Sequence, residues 1–408
     1  MATHEPAPGS GSAAIGADPG ANPGADAGTD PGSGIEADTP GAGGDALMRS
    51  IIQRIATGPE LSKDITRDEA RRGMRAVLDG AVDPVRAAVF LIALRMKRET
   101  DDENLGVLDA VRETTGTVTA PVDEVVDLSD PYNGFNRNLP VSAFLPAVLA
   151  ACGVPAVSHG VETMGPKFGA THHRVLAASG APVVSPPAEV CARLADPETG
   201  WAYCDQSVFN PKLHALAGLR SLIVKRPALT TVEVMAGPVR GRRHTHVVTG
   251  YVHKPYARIY LRLAREAGFD SALIVRGIEG GIIPSLRQNA KVWTYRDGVD
   301  EHDVDISPAE PGIEQSVRAV PLPEGIAGYR RKSDDAGGEI DGAAIARAAA
   351  QAGLEALDGA PGPARDSLVY GAALVLRHVG RAPRLDEAAA MVRAALDEGR
   401  ARARFERR

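Results

Sequence analysis

The sequence predicts an α/β protein in which an N-terminal helical bundle precedes a larger α/β domain with a central, mostly parallel sheet. Helical periodicity and capping signals fill the chain from Leu47 to Thr114. After Pro121, short apolar runs alternate with helical segments, which is the pattern of parallel strands joined by helices. From residue 340 onward the pattern is helical again.

Two capping boxes mark the helices of the bundle: Thr66 with Glu69, and Thr100 with Glu103. Between them, Asp83 is a candidate N-cap followed by proline at the first helical position. The helix behind Asp83 carries an apolar stripe at Val85, Val89, Ile92 and Met96.

Short apolar runs in the second part of the chain are the strand candidates. They are Val125–Val126, Val154–Val157, Thr231–Val234, Val247–Val252, Leu273–Val275 and Lys291–Tyr295. The helices predicted between and after them are Val141–Cys152, Pro255–Ala267, Ile340–Leu357, Pro363–Val379 and Leu385–Arg404. The predicted organisation is a disordered tail over 1–46, a helical domain over 47–118 and an α/β domain over 119–408, with an irregular insertion at 299–338.

Composition limits the functional classes. The net charge of −6 argues against indiscriminate nucleic-acid binding by the whole chain but leaves room for a local basic groove. No apolar run approaches the roughly 18 residues of a membrane span, and the N-terminus lacks the basic start and apolar core of a signal peptide. Three cysteines without motif spacing fit a reducing, cytoplasmic location.

The segment from Asp127 to Gly169 contains the strongest candidate site. A short apolar strand runs into a loop with Asn133, Gly134, Asn136, Arg137 and Asn138, and a helix with Ser142 in its first turn follows at once. Backbone N–H groups at such a helix start attract anions, and a guanidinium matches two phosphate oxygens. The alternative is a simple turn, in which asparagine and glycine only satisfy left-handed backbone geometry.

The same segment holds a second set of candidates behind the next predicted strand. His159 and Gly160 lie at its carboxyl end, where ligands of α/β proteins bind. Lys167, two residues before Gly169, is a candidate point charge for phosphate. The alternatives are a hydrogen-bonded structural histidine and a solvated lysine.

Charged residues farther along the chain leave two further questions open. Lys225, Arg226, Arg240, Arg242 and Arg243 form a basic segment, read either as a phosphate or nucleic-acid patch or as a solvated loop. Glu279 is the acidic candidate near the site, and one carboxylate can hold magnesium when substrate phosphates supply other oxygens. The alternative is a turn residue that pairs with Arg276 or Arg287.

Three blocks of the chain resemble the anthranilate phosphoribosyltransferase family of glycosyltransferases. They are the helical start with GPELSKDITRDEARRGM and LDGAVDPVRAAVFLIALRMKRET, the segment from Asp127 to Gly169, and GPARDSLVYGAALVL followed by LDEAAAMVRAALDEGRA. The resemblance implies a helical domain on an α/β domain, a homodimer through the helical domain, and phosphoribosyl diphosphate with Mg²⁺ as ligands. Arg220 and Arg226 stand in register with two family arginines, and the resemblance implies that they hold an anionic acceptor.

The catalytic motifs depart from the family pattern, so the chain resembles a divergent branch. Asparagine and arginine stand in the diphosphate loop where glycines and an aspartate are usual, and Ser158 and Val161 replace the Lys and Asn around His159-Gly160. The magnesium-holding Asp-Glu pair falls on Ile282-Ile283. The resemblance implies phosphoribosyl transfer to an amine or nitrogen heterocycle. The alternative hypothesis is a catalytically altered protein that binds nucleic acid or another polyanion between its domains.

Overall fold

The computed structural model describes residues 42–58, 60–296, 299–326 and 340–407. Most of the predicted tail over 1–46 lies outside these residues, and the first helix begins at Ala42, ahead of the predicted Leu47. Four helices form the N-terminal bundle: α1 (Ala42–Ile55), α2 (Arg67–Leu78), α3 (Pro84–Lys97) and α4 (Asp101–Glu113). Both predicted capping boxes are confirmed at the starts of α2 and α4.

The central sheet has seven strands in the order β4-β3-β2-β6-β7-β8-β9. The first five are parallel, and β8 and β9 are antiparallel additions at one edge. The strands are β1 (Val118–Thr119), β2 (Glu124–Ser129), β3 (Ala156–Gly160), β4 (Trp201–Asp205), β5 (Val239–Arg240), β6 (His244–Gly250), β7 (Ser271–Val275), β8 (Ala290–Arg296) and β9 (His302–Ile306). β1 and β5 form a separate parallel pair. The predicted fold class is therefore confirmed.

The remaining helices connect the strands and close the chain. They are α5 (Leu145–Ala151), α6 (His172–Ala178), α7 (Pro187–Ala195), α8 (Gln206–Phe209), α9 (Pro211–His214), α10 (Ala217–Ile223), α11 (Leu229–Val232), α12 (Pro255–Glu266), α13 (Gly342–Leu357), α14 (Pro363–His378), α15 (Leu385–Asp397) and α16 (Arg400–Glu406). Short 3-10 turns cover Val141–Phe144, Glu233–Met235 and Ile278–Gly280. Among the described helices, none has the length and apolar composition to cross a bilayer.

Two hydrophobic cores lie on the two faces of the sheet, because strand side chains alternate between faces. One core joins Val126 and Val248 to α5 and the C-terminal helices. The other joins Val125 and Val247 to α1–α4 and to residues of the 209–236 segment. Apolar side chains of this segment therefore pack with the N-terminal helices.

Three predicted elements differ from the structure. Thr231–Val234 was predicted as a strand but is the end of α11 and a 3-10 turn. The prediction failed because a run of four residues is too short to distinguish the period of a strand from that of a helix. Residues 327–338 of the predicted irregular segment 299–338 lie outside the described residues, and within its described part β9 pairs with β8. The predicted C-terminal helix is broken at Gly399, whose φ is +71°. The strands β1, β4 and β5 were not predicted.

Candidate functional site

A cleft opens at the carboxyl edge of the parallel strands, where the loops after β2, β6 and β7 meet. The chain leaves β2 to build β3 and β4 on one side and later returns to build β6 and β7 on the other. Such a switch in strand order leaves a crevice between the loops of the two neighbouring strands, which is where open α/β sheets bind ligands. The cleft residues Asn133 and Tyr251 follow β2 and β6.

The cleft has two adjoining parts that share four lining residues, Arg226, Val252, His253 and Glu279. The smaller part encloses about 980 Å³ and lies against Arg95 of α3 and the tyrosines Tyr251, Tyr256 and Tyr260. The larger part spans about 2260 Å³, including space open to solvent. Its cationic lining residues are Arg137, Lys167, Arg226, Arg276, Arg287 and Arg318. Glu279 is the sole carboxylate among the described residues that line either part.

The loop after β2 is joined to the loop that precedes α6. Phe135 N–H donates to Ala170 O at 2.9 Å, Ala170 N–H donates back at 2.8 Å, and Gly169 N–H donates to Asn133 O at 3.0 Å. A Cβ on Gly134 would lie 2.7 Å from Ala170 O, and one on Gly169 would lie 2.5 Å from Phe135 O. The close backbone approach therefore requires both predicted glycines.

The amides of the predicted anion loop converge on Glu279. Its Oε1 accepts from the backbone N–H of Arg137 at 2.7 Å and from Nδ2 of Asn138 at 2.9 Å. The backbone N–H of Asn136 lies farther off, at 3.3 Å. The loop thus forms an anion cradle, defined here as these three donors together with the Lys167 ammonium. The protein's own carboxylate occupies it.

Lys167 completes the cradle. Its ammonium lies 2.9 Å from Glu279 Oε2, donates to Gly134 O at 2.8 Å and sits over the Phe135 ring. Burial lowers the pKa of Lys167, and the neighbouring Glu279 opposes that shift. Lys167 and Glu279 are therefore partners, whereas the sequence had suggested Arg276 or Arg287 as partners of Glu279.

Ser142 belongs to a buried network and not to the cradle. Its hydroxyl donates to Asp130 Oδ2 at 2.5 Å and lies 3.0 Å from Nε2 of His172, which is itself 2.7 Å from Asp130 Oδ2. Asp130 Oδ1 also accepts from Ile282 N–H at 2.8 Å. This carboxylate, overlooked in the sequence, couples the loop after β2 to the turn after β7. The predicted amides at the Val141 helix start lie in a buried 3-10 turn.

His159 and Gly160 are buried inside the fold. Nε2 of His159 lies 2.9 Å from Asp127 Oδ1, and Nδ1 contacts the Tyr132 hydroxyl. A Cβ on Gly160 would lie 3.3 Å from the Tyr203 hydroxyl. Neither residue is among the described residues that line the cleft. His159 therefore links Asp127 of β2 to Tyr132 in the loop that bears the cradle, the position of a hydrogen-bonded structural histidine.

The two arginines expected to hold an acceptor, Arg220 and Arg226, differ in burial and in their contacts. Arg220 is 1% exposed and forms a bidentate pair with Glu233, at 2.7 and 2.6 Å. Arg226 lines both parts of the cleft. Of the other residues in the basic segment, Arg240 packs over the Phe269 ring and donates to Ala267 O at 2.9 Å. Only Arg226 of the predicted pair is thus placed to meet a ligand.

The chain does not fit a protein-held magnesium ion. Ile282 belongs to an apolar core and Ile283 packs against it; the resemblance implied that these two residues replace the family's Asp-Glu pair. The Glu279 carboxylate already accepts two N–H groups and pairs with the Lys167 ammonium, whose charge repels a cation at this place. No group of three His, Cys, Asp or Glu side chains in the described parts of the chain is arranged to hold a metal.

Several cleft residues escaped the sequence interpretation. Tyr251, His253 and Arg276 come directly after β6 and β7, so the rule that ligands bind at carboxyl ends of strands would have found them. Arg95 and Tyr256 reach the cleft from α3 and α12, and no local signal points to them. Arg95 donates to Thr231 Oγ1 at 3.0 Å and lies 3.2 Å from Glu99.

Comparison with known proteins matches both parts of this architecture. A family model described as the helical bundle domain of a glycosyl transferase family matches residues 49–115. The anthranilate phosphoribosyltransferase of Bradyrhizobium diazoefficiens is 28% identical over 360 residues, covering 88% of this chain and 96% of that protein. An uncharacterized protein of Aquifex aeolicus is 28% identical over 241 residues, or 58% of this chain and 71% of that protein.

Solved structures show the same fold. Anthranilate phosphoribosyltransferase from Saccharomyces cerevisiae, in complex with phosphoribosyl diphosphate and magnesium, has a TM-score of 0.67 at 14% identity and covers 88% of this chain and 96% of its own. The enzyme of that name from Thermus thermophilus has a TM-score of 0.63 at 21% identity, covering 88% and 97%.

Proposed function

We propose that this chain, a divergent relative of the anthranilate phosphoribosyltransferases, transfers a phosphoribosyl group from phosphoribosyl diphosphate to an amine or nitrogen-heterocycle acceptor. The observation that carries the proposal is the anion cradle at the switch point of the sheet. Its donors converge on the carboxylate of Glu279, and the same donors suit a phosphate group.

The chemistry of the transfer asks for positioning and charge stabilisation more than for a reactive side chain. Diphosphate leaves while positive charge develops on the ribose, so donors fixed around the leaving group lower the barrier. In this proposal the cradle and Arg137 hold phosphate oxygens, and Arg276, Arg287 and Arg318 supply positive charge along the larger part of the cleft. Each of these four arginines has a guanidinium group, which can pair with two phosphate oxygens.

The smaller part of the cleft is the proposed acceptor pocket. Tyr251, Tyr256 and Tyr260 offer apolar ring surface with polar ends, and Arg226 lies where the two parts join. An acceptor held there would meet the sugar at the mouth of the cradle. Arg220 takes no part, because it is buried and both terminal nitrogens of its guanidinium already bind Glu233.

Magnesium enters this proposal only as a counterion of the substrate. The donors of the cradle are N–H groups, so a cation has no ligand there, and Mg²⁺ usually binds through phosphate oxygens and water. We therefore expect the ion to bind as a complex with the diphosphate.

The free thiols of Cys152, Cys191 and Cys204 support the proposed cytoplasmic location.

Isothermal titration calorimetry with phosphoribosyl diphosphate, with and without Mg²⁺, tests the proposal. We expect saturable binding that survives chelation of the metal and weakens in a Lys167→Met variant. Incubation with a panel of aromatic amines and nitrogen heterocycles, followed by mass spectrometry, then seeks the phosphoribosylated product and free diphosphate. A folded protein that shows neither binding nor product would refute the proposed transfer.

A second candidate function, binding of nucleic acid or another polyanion, is favoured by the charge of the larger part of the cleft. Six cationic side chains line it against one carboxylate, which the cradle already neutralises. Backbone phosphates would occupy the same arginines. Its signature is an affinity for single- and double-stranded oligonucleotides that falls steeply with added salt. Absence of such binding removes this candidate.

We also propose a homodimer through the helical bundle. The predicted apolar stripe of α3 is not a core stripe along its length: Val85 and Met96 are each 71% exposed, and Val89 and Ile92 are half-buried. An exposed apolar stripe of this length on a helix is typical of a protein–protein contact. A second copy of the chain is the proposed partner.

A further inference from the structure

The position of Glu279 resembles that of a bound ligand more than that of an ordinary surface ion pair. Its carboxylate has two N–H donors at 2.7 and 2.9 Å, a third at 3.3 Å, and an ammonium at 2.9 Å. The side chain is only 5% exposed although the residue lines both parts of the cleft. A phosphate oxygen would find the same set of donors.

The backbone of Glu279 is held in an unusual conformation. Its φ of +54° lies in the left-handed region, which side chains with a Cβ seldom adopt. Such a residue persists only when its surroundings determine its position, and it is common at functional sites. Here the surroundings are the cradle on one side and a tight turn on the other, where a Cβ on Gly277 would lie 1.6 Å from Gly281 O.

We propose that Glu279 is an internal competitor for the anion cradle. The inference rests on the proposed phosphate-binding function. In the free protein the carboxylate fills the cradle, and it rotates into the adjoining cleft when a phosphate or diphosphate group enters. Both cannot stay in the same place, because the Arg137 N–H is a single donor already used by Glu279 and the two anions repel each other.

The competition sets a threshold for binding. The apparent affinity of an anion is the intrinsic affinity multiplied by the fraction of molecules in which Glu279 has left the cradle. Glu279 also keeps the buried Lys167 neutralised while the cleft is empty. The device keeps weakly held anions out and admits ligands that contact several cationic residues of the cleft at once.

Calorimetry with inorganic diphosphate on the full chain tests the inference with three variants. Glu279→Gln removes the charge and keeps the shape of the side chain, and Glu279→Gly removes the competitor while suiting the positive φ. Glu398→Gln is the control, because it makes the same change in net charge at a side chain that is 60% exposed and lies outside the cleft lining. Circular dichroism verifies that each variant is folded.

We expect both Glu279 variants to bind diphosphate about 5- to 150-fold more tightly than the wild type, which is the usual range for coupling between two sites. Glu398→Gln should bind as the wild type does. Adding Lys167→Met to Glu279→Gln should abolish the gain, which places the new affinity in the cradle.

Two results overturn the inference, and they differ. If the wild type binds diphosphate and the Glu279 variants bind it equally or more weakly, Glu279 supports the site and does not compete for it. If neither the wild type nor any folded Glu279 variant binds diphosphate, the proposed phosphate site itself fails.

Discussion

Arg220 and Glu233 form a bidentate ion pair in which both side chains are 1% exposed. Arg220 belongs to α10 and Glu233 to the 3-10 turn behind α11, so the pair ties together two elements beside the cleft. A buried pair of this kind has structural consequences, because neither charge can return to water when its partner is lost.

The first prediction concerns that pair. Glu233→Gln leaves a buried guanidinium without its counter-charge, so we expect a loss of about 3–5 kcal/mol in the free energy of unfolding, measured by urea denaturation. The double variant Arg220→Met with Glu233→Leu should recover most of the loss. A change below about 1 kcal/mol in the single variant, a value typical of exposed pairs, would contradict the buried pair and reopen Arg220 as a ligand for an acceptor.

The second prediction concerns pH. Burial, with smaller effects from the charges of His246 and Arg296, lowers the pKa of His378 from 6.5 to about 3. Its Nε2 lies 2.8 Å from Ser271 Oγ, and its Nδ1 lies 3.2 Å from Thr294 Oγ1. Between pH 6.5 and 3 the unfolded chain binds the proton and the folded protein does not, so the free energy of unfolding falls as the pH falls.

The expected loss from His378 is on the order of a few kcal/mol towards pH 3, measured by urea denaturation at several pH values. His378→Gln should flatten this pH dependence, since the amide does not titrate. His253→Gln, at an exposed position, is the matched control and should leave the slope unchanged. Equal slopes in all three proteins would contradict the assignment.

The third prediction tests the joined loops beneath the cradle. In Gly169→Ala the new Cβ would lie 2.5 Å from Phe135 O and 2.6 Å from Phe135 N. The loops must separate, so we expect a loss of about 1–3 kcal/mol in stability together with weaker diphosphate binding. Gly218→Ala is the control: no atom lies within 4 Å of its Cβ, and the site is helical. A Gly169→Ala protein with unchanged stability and binding would show that the loops do not depend on this contact.

The fourth prediction concerns the apolar stripe of α3. Light scattering coupled to size exclusion should give the mass of a dimer for the wild type, because an exposed stripe at Val85 and Met96 loses water when a second copy covers it. The double variant Val85→Lys with Met96→Lys should elute as a monomer. Val184→Lys, an exposed apolar position outside the bundle, should remain dimeric. A monomeric wild type would dismiss the proposed dimer.

Local features of the chain were sufficient for the bundle helices, α12, the C-terminal helices and most of the sheet, but the short helices α7–α11 were not predicted. Thr66 and Thr100 each precede a glutamate by three residues, so side chain and backbone satisfy each other within one turn, and no distant residue is needed. The buried strands β6 and β7 carry the apolar runs Val247–Val248 and Ala272–Val275, as is typical of parallel strands covered on both faces. The strand β4, with Trp201 and Tyr203, carries a weaker signal and was missed.

In the candidate site, too, the local features could be predicted and the contacts between distant residues could not. From the sequence came the asparagine- and glycine-rich loop behind a central strand, and its resemblance to the family predicted Ile282-Ile283 at the positions of the magnesium carboxylates. Tertiary structure alone decided which groups meet: Glu279 approaches the loop amides across more than 140 positions of chain, and Arg220 finds Glu233 instead of a ligand. Helical hydrogen bonds and caps join residues within one turn and can be predicted locally, whereas the pairing of distant charges depends on how the sheet brings its loops together.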